Sequence, residues 1–468
     1  MMKIRQLLLL LIISTYLYSQ PDTLWSHKYG GDELEIGNCV QQTTDGGFII
    51  SGKIGDYFSD GVLIKVNELG NLEWIKNYGG TSNDIFSSIK LCTNNQLIIS
   101  GETASFGLGW SNGWILKINL NGDTLWTKTY GGEKGNNFKD IVINPDGGFT
   151  LIGSTNSFGF GESDFWVIRI DSTGGIIWER TFGGEKSDYG ISIQRTFDDG
   201  FILCGNTNNL YESYYVDILV IKINNSGEII WQYQVNGSGF DACNSIIQCQ
   251  DGSYAVVGHT EEFVGEYSDL WIIKIDSLGN YLWDRKYGGD YTDYGESIQE
   301  TYDSGFVATG TYNNKLWIIK TDSIGNLIWE KIYDNAEHGK DIQILSNYEY
   351  ILLANELDGI VLFYLSDTNS INSIMNNVGL IESYSLEQNY PNPFNPTTTI
   401  PFQLPKSSFV KLTIYDITGR LIKNLINEYK NAGYYSVNWD TDNVVSGIYF
   451  YKIDAGEFTS IKRCLVIK

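Results

Sequence analysis

Six side chains recur at one place in this chain and are the first candidates for chemistry: Glu35, Asp84, Asn136, Asp188, Asp241 and Asp293, each ten residues after a tryptophan. Gly339 stands in that place after the last tryptophan. Short acids gathered at one end of a fold can hold calcium, since hard cations take several carboxylate or carbonyl oxygens, or can accept the hydroxyls of a sugar. They can equally accept backbone N–H bonds in their own corners, as aspartate does in turns. Repetition favours the corner role, because a ligand needs one or two such places rather than one per copy. A second set of candidates is irregular. Tyr57, Trp110, Phe160, Tyr214 and Tyr267 fall in long, variable connections, and their rings can stack on the apolar faces of sugars. A glycan site here would combine these rings with Asp188, Asp241 or Asp293 accepting hydroxyls.

Catalytic motifs are absent. The three histidines, His27, His259 and His338, have no ligand or base partner at motif spacing, and neither Gly-x-Ser-x-Gly nor His-Glu-x-x-His occurs. No catalytic residue, metal ligand or cofactor site is assigned, and a non-enzymatic role is favoured. Paired carboxylates on separate copies of a repeat carry no local signature, so a propeller-type polysaccharide lyase or glycoside hydrolase stands as the alternative. With 56 acidic against 32 basic residues and a formal charge of −24, the chain is a poor match for nucleic acid or anionic lipid. The six cysteines are scattered and form no disulfide framework. Cys92 and Cys249 occupy equivalent places in different copies, as small core residues would.

What must position these groups is a repeat. Trp25, Trp74, Trp126, Trp178, Trp231, Trp283 and Trp329 mark seven copies of about fifty residues. In six of them an aromatic or leucine follows 23 residues later (Phe48, Leu97, Phe149, Phe201, Tyr254, Phe306), and a glycine four residues after that. Apolar alternation such as Trp271-Ile-Ile-Lys-Ile275, bounded by Asp-Gly turns, predicts four short strands per copy. Four antiparallel strands repeated seven times is the pattern of a seven-bladed β-propeller over 20–365. The region opens with a spare tryptophan strand, 22–29, and ends at 360–365 without one, so the N-terminal strand is expected to complete the last blade and leave no open edge. An open solenoid would leave this complementarity unexplained. The periodic tryptophans are expected in the core. The Asp-Gly turns belong to one face and the variable loops to the other, where ligands usually bind.

The ends differ in kind from the middle. Residues 1–19, with Lys3 and Arg5 before an apolar run too short to span a bilayer, read as a signal peptide. No other such run occurs, so no membrane-spanning segment is expected. A polar linker covers 366–383, and strands with a proline-rich entry fill 384–468 as a small β-sandwich. Its motifs are Pro391-Asn392-Pro393-Phe394, Tyr415-Asp416-x-x-Gly419, Trp439-Asp440 and Ser446-Gly447-Ile-Tyr449. They resemble the C-terminal sorting domain of the type IX secretion system. That resemblance implies an immunoglobulin-like tail, the type IX translocon as partner, and passage through the periplasm to the cell surface or medium. A glycan or surface protein is the expected ligand of the loop face.

Overall fold

The computed structural model describes residues 20–467 apart from 32, 57, 209–215, 236–238, 262–266, 347–348, 358, 368–383, 390–391, 393, 395, 431–432, 442–443 and 457. The leader, most of the linker, Tyr57, Tyr214, Pro391 and Pro393 lie outside the described residues. Every regular element described is a strand. Two compact units divide between 370 and 371.

In the first unit, Asp22–Tyr29 (β1) precedes a sheet of Glu35–Gln42 (β2), Phe48–Ile54 (β3), Asp60–Val66 (β4) and Leu72–Tyr78 (β5), in the order β2-β3-β4-β5. Equivalent antiparallel sheets span 84–130, 136–182, 188–235, 241–287 and 293–333. A further sheet joins His338–Ser346, Glu349–Glu356 and Gly359–Ser366 to β1, with Tyr29 opposite Ile360 and Asp22 opposite Ser366. First strands touch first strands in succession, and His338–Ser346 touches β2. Asn355 Oδ1 accepts the Gly37 N–H at 2.9 Å, Asn355 Nδ2 donates to Gly37 O at 3.0 Å, and Asp341 accepts the Val40 N–H at 3.0 Å.

Stacking buries the middle strands on both faces. Phe149–Thr155 and Asp164–Ile170 are buried at every position. A lysine inside such a strand needs an ion partner. The Asp-Gly turns supply it: Lys65 reaches Asp45 at 3.1 Å, Lys222 reaches Asp198 at 2.9 Å, Lys274 reaches Asp251 at 3.3 Å and Lys320 reaches Asp303 at 2.9 Å. Arg169 and Asp146 do the same at 2.7 Å. Each of these acids also accepts an N–H of its own turn, as Asp45 does from Gly47 at 3.1 Å.

The repeated glycine has a steric cause. Each first strand carries a bulge, between Gly37 and Cys39 in β2 and between Phe138 and Asp140 in the third sheet. It sets a backbone carbonyl against the glycine on the neighbouring strand. A Cβ on Gly52, Gly101, Gly153, Gly205, Gly258 or Gly310 would meet that oxygen at 1.9, 1.9, 2.0, 2.1, 1.9 and 1.7 Å. In the last sheet Ala354 faces Gly339, as Gly101 faces Phe86. This register puts Glu337, not Gly339, in the corner position equivalent to Asp84.

The periodic tryptophans depart from expectation. All but Trp329 are only partly buried, and five of them reach from the outer strand of one sheet to a turn of the next. Trp25 lies against Gly70, Trp74 against Gly122, Trp178 against Gly227, Trp231 against Gly279 and Trp283 against Gly325. The other buried tryptophans of this unit are Trp114, Trp166, Trp271 and Trp317 on third strands. Their indole N–H groups are satisfied by Thr127 at 2.7 Å, Glu179 at 2.6 Å, Asp284 at 2.8 Å and Glu330 at 3.0 Å.

In the second unit, Ser385–Leu386, Thr397–Leu404 and Gly433–Asp440 form one sheet. Leu421–Lys430, Ser408–Asp416, Gly447–Ala455 and Phe458–Val466 form another. Phe402 and Trp439 from the first share a core with Leu412, Tyr451 and Ile453 from the second.

Gly153→Ala is expected to destabilise the protein by about 3 kcal/mol, since only backbone atoms line the space a methyl would enter. Gly184→Ala, with nothing within 4 Å, serves as the neutral control. Equal urea midpoints for the two variants would contradict the steric account.

Candidate functional site

The long connections leave the end of each sheet where first strands begin and second strands finish, so the corner acids and the loop aromatics share one face. Two loops have matching frames. In Ser105-Phe106-Gly107-Leu108-Gly109-Trp110 and Ser157-Phe158-Gly159-Phe160-Gly161-Glu162, the first phenylalanine lays one side of its ring on a buried tryptophan and stays 44% and 42% exposed. Phe106 sits 6.0 Å from the Trp114 ring and Phe158 sits 6.2 Å from the Trp166 ring. Gly109 and Gly161, at φ +89° and +101°, press against the backbone of the next corner at Glu133 and Glu185. With the frame pinned this way, Trp110 and Phe160 are each left 80% exposed. Tyr267 is 63% exposed on the fifth sheet. The sixth sheet has only a two-residue turn at this end, Asn313 and Asn314 at φ +46° and +60°.

The acids expected beside these rings are placed differently. Asp188, Asp241 and Asp293 are buried beneath the corners. Asp188 accepts the Gly184 N–H at 2.7 Å, Asp241 accepts the Thr260 hydroxyl at 2.5 Å, and Asp293 accepts the Gly289 and Asn313 N–H groups at 3.2 and 3.0 Å. Asp84 accepts the Ser105 hydroxyl at 2.7 Å and so ties a long loop to its corner. These side chains hold corners together, and their carboxylates are not presented to an incoming hydroxyl. A second acid, which sequence reasoning missed, lies beside three of them. A Cβ on Gly183 would fall 2.4 Å from an Asp188 oxygen and 2.6 Å from an Asp164 oxygen. Gly79 stands likewise between Asp60 and Asp84, and Gly288 between Asp269 and Asp293. The acid at the start of the third strand in the preceding sheet, Asp60, Asp164 or Asp269, was the available signal.

Burial, with Asp188 adding, pushes Asp164 up to about 6. Burial likewise pushes Asp241 and Asp293 up to about 6. The turn acids go the other way. Burial opposes the charge of Asp45, Asp146, Asp198, Asp251 and Asp303, but hydrogen bonds from the turns and the buried cations outweigh it and hold all five below the usual range.

His259 is enclosed by Phe240, stacked at 5.7 Å, and Tyr294, edge-on at 4.7 Å, and burial depresses it to about 4. His338 Nδ1 lies 3.1 Å from the Thr311 hydroxyl. Among the described residues, no cluster of three or more histidine, cysteine or acidic side chains is placed to hold a metal. A cavity of about 620 Å³ is lined by first-strand residues including Asn38, Lys90, Asp140, Asn244, Glu296 and Asp341. Its charges are largely spent on one another and on strand edges: Lys340 meets Glu296 at 2.7 Å, and Asp140 accepts the Ser88 and Ser192 hydroxyls at 2.9 and 3.3 Å.

In the second unit the motif residues lock the last strand. Asn392 Oδ1 accepts the Leu465 N–H at 2.8 Å, and Phe394 bonds Leu465 O and Ile467 N at 3.0 and 3.1 Å. The Phe394 ring meets Trp439 at 5.3 Å, and Trp439 meets Tyr449 at 5.5 Å. Asp416 accepts the Thr418 hydroxyl and the Thr418 and Arg420 N–H groups around Gly419, whose φ is +82°. Gly447 opens the next strand opposite Val466. Residues 388–468 match the family of secretion system C-terminal sorting domains. The chain is therefore exported to the cell surface or the extracellular space. Hydrogen bonds led by the Thr418 hydroxyl hold Asp416 of the sorting domain down to about 2.

No curated protein matches the chain in sequence. In fold, it is similar to the Pan2 WD40 domain of Neurospora crassa, with a TM-score of 0.50 and 10% identity over 74% of this chain and 95% of that one. Sqt1 from Chaetomium thermophilum is similar at a TM-score of 0.45 and 12% identity, over 72% and 82% of the two chains. PorZ, a surface component of the type-IX secretion system of Porphyromonas gingivalis, is similar at 0.32 and 12% identity, over 91% and 69%. The unit before the sorting domain thus has a β-propeller-like, all-β fold.

Between about pH 4 and 6 the folded chain keeps protons on Asp164, Asp241 and Asp293 that the unfolded chain releases, so stability falls as pH rises through this window. His259 opposes this with a single group. Below the ordinary carboxylate range the turn acids reverse the slope, because their depressed folded pKa values make stability fall with falling pH. Urea unfolding is expected to show greater resistance at pH 5 than at pH 3 or 7, and Asp241→Asn to lessen the loss between pH 5 and 7. A wild-type midpoint that rises steadily to pH 7 would count against the assignment.

Proposed function

We propose that the protein is an exported seven-bladed β-propeller, closed by its first strand, that binds a glycan or a surface protein non-enzymatically through its long-loop face. The tail is an immunoglobulin-like sandwich that the type IX translocon reads. Pairing of β1 with Gly359–Ser366 and the Asn355–Gly37 bonds support closure. One observation carries the binding role: Trp110 and Phe160 stand out from loops that Phe106 and Phe158 already pin. Phe106 and Phe158 rest on buried tryptophans, whereas Trp110 and Phe160 are nearly twice as exposed. Fixed, exposed rings also lose little freedom when a ligand arrives, which favours recognition of flat apolar surfaces such as sugar faces. The buried corner acids leave hydroxyl contacts to loop backbone and to the polar residues between the rings.

A glycan array run beside a reducing-sugar release assay on the purified protein tests the reading. Binding without release is expected, and release of reducing ends would favour the lyase or hydrolase alternative. Joint replacement of Trp110 and Phe160 by alanine should weaken binding by about tenfold or more, ~1.4 kcal/mol. It should leave the urea midpoint within about 0.5 kcal/mol of wild type. Lost stability with retained binding would show that the rings only pack.

Removal of 388–468 tests the address. The first unit contains its own strands and core, so the truncated chain is expected to fold but to be missing from the surface and medium on fractionation. Its presence there would refute the sorting role.

A further inference from the structure

We propose that Cys204 and Cys243 form a disulfide that staples the fourth sheet to the fifth in the exported protein. Cys204 lies on Phe201–Asn208 and Cys243 on Asp241–Gln248, the first strand of the following sheet. Their sulfurs are 2.8 Å apart, and both side chains are fully buried among Ile202, Val220, Ile246 and Val256. A closing movement of less than about 1 Å brings the sulfurs to bonding distance. Among the described residues this is the one pair of cysteines with sulfurs in contact. No metal-ligating cluster among the described residues competes for them. Export takes the chain out of the reducing cytosol, and disulfides persist in the compartments it enters.

Bond formation removes two protons and two electrons. One thiolate attacks the disulfide of a thiol-oxidising protein to give a mixed disulfide. The second thiolate then displaces that protein, which leaves as a dithiol. Burial, and then the neighbouring sulfur, holds the Cys204 thiol well above its ordinary range, so exchange is slow once the sheets have met. The bond therefore forms while the fourth and fifth sheets are docking, and afterwards the same burial shields it from external thiols. The cysteines are 39 residues apart, far enough for the bridge to restrict the unfolded chain substantially.

Protein recovered from outside the cell, unfolded in guanidinium with N-ethylmaleimide and no reductant, is expected to take four labels on its six cysteines. Its unlabelled mass should be about 2 Da below that of the fully reduced chain. Peptide mapping should place the bridge at 204–243. Six labels, or a bridge mapped elsewhere, would overturn the proposal. Reduction under denaturing conditions and refolding without oxidant should lower the melting temperature by roughly 5 °C. This loss should be absent in a Cys204→Ala/Cys243→Ala variant. Should that variant fail to fold, mapping of the wild-type protein decides alone.

Discussion

A four-stranded sheet with two apolar faces has no stability of its own, so everything here depends on what fixes one sheet against the next. That interaction is a clasp between an outer strand and a turn. Tyr29, Tyr78, Tyr130 and Tyr287 each donate their hydroxyl to the carbonyl of a turn glycine in the following sheet, Gly70, Gly122, Gly174 and Gly325, at 2.5 to 2.8 Å. The tryptophan four residues before the tyrosine covers the same turn in most copies. A hydrogen bond sets the spacing and an indole excludes water from it. At positive φ the glycine leaves the turn without a side chain, so the ring can lie flat on the backbone. Burial of apolar surface drives the stacking, but it is non-directional. The clasp supplies the direction.

The clasp also explains which features of the sequence were legible. Period, strand number and turn chemistry follow from Trp, Gly and Asp-Gly at fixed spacing, because each must recur wherever the same contact recurs. Spacing does not say which way a side chain faces. Ile-Lys-Ile alternation suggests a half-exposed strand, yet Lys65 and Lys222 are buried, because a middle strand has a sheet on either side. The ion partner lies 20 or more residues upstream, in a turn whose aspartate already had a local explanation. The tryptophans were legible only in part for a related reason: they pack against the cores, yet all but Trp329 stay partly exposed. Equivalent positions in every copy fit an inter-sheet contact as well as a core, and only the three-dimensional register separates them. In the tail, Asn392, Phe394, Asp416 and Gly419 stood out as a motif, but that Asn392 and Phe394 fasten the final strand became visible only from their bonds to Leu465 and Ile467.

The acids divide by depth and by partner. At the turn end, carboxylates meet buried cations and stay charged. At the corner end they meet one another across a glycine, in pairs such as Asp164 and Asp188, where two charges cannot comfortably coexist. A net charge of −24 therefore overstates the charge the folded chain carries in mildly acidic surroundings. Protonation at the corners relieves repulsion where sheets converge, without disturbing the ion pairs that hold the other end. The two ends of the third, fifth and sixth sheets thus respond to pH in opposite senses.

The loop face can vary because its anchors do not. The loops after the second strands of the second and third sheets share two inward contacts: a phenylalanine on a buried tryptophan, and a glycine on the next corner. Between and beyond those anchors the side chains differ freely, Leu108 standing where Phe160 stands and Trp110 where Glu162 stands. Exchanging one for another alters the presented surface and leaves both anchors in place, although Glu162 also accepts the Ser187 hydroxyl of the next corner at 3.1 Å. The same frame can therefore carry a greasy, an aromatic or an acidic tip on successive sheets. Folding constrains the anchors, and recognition is left to the tips.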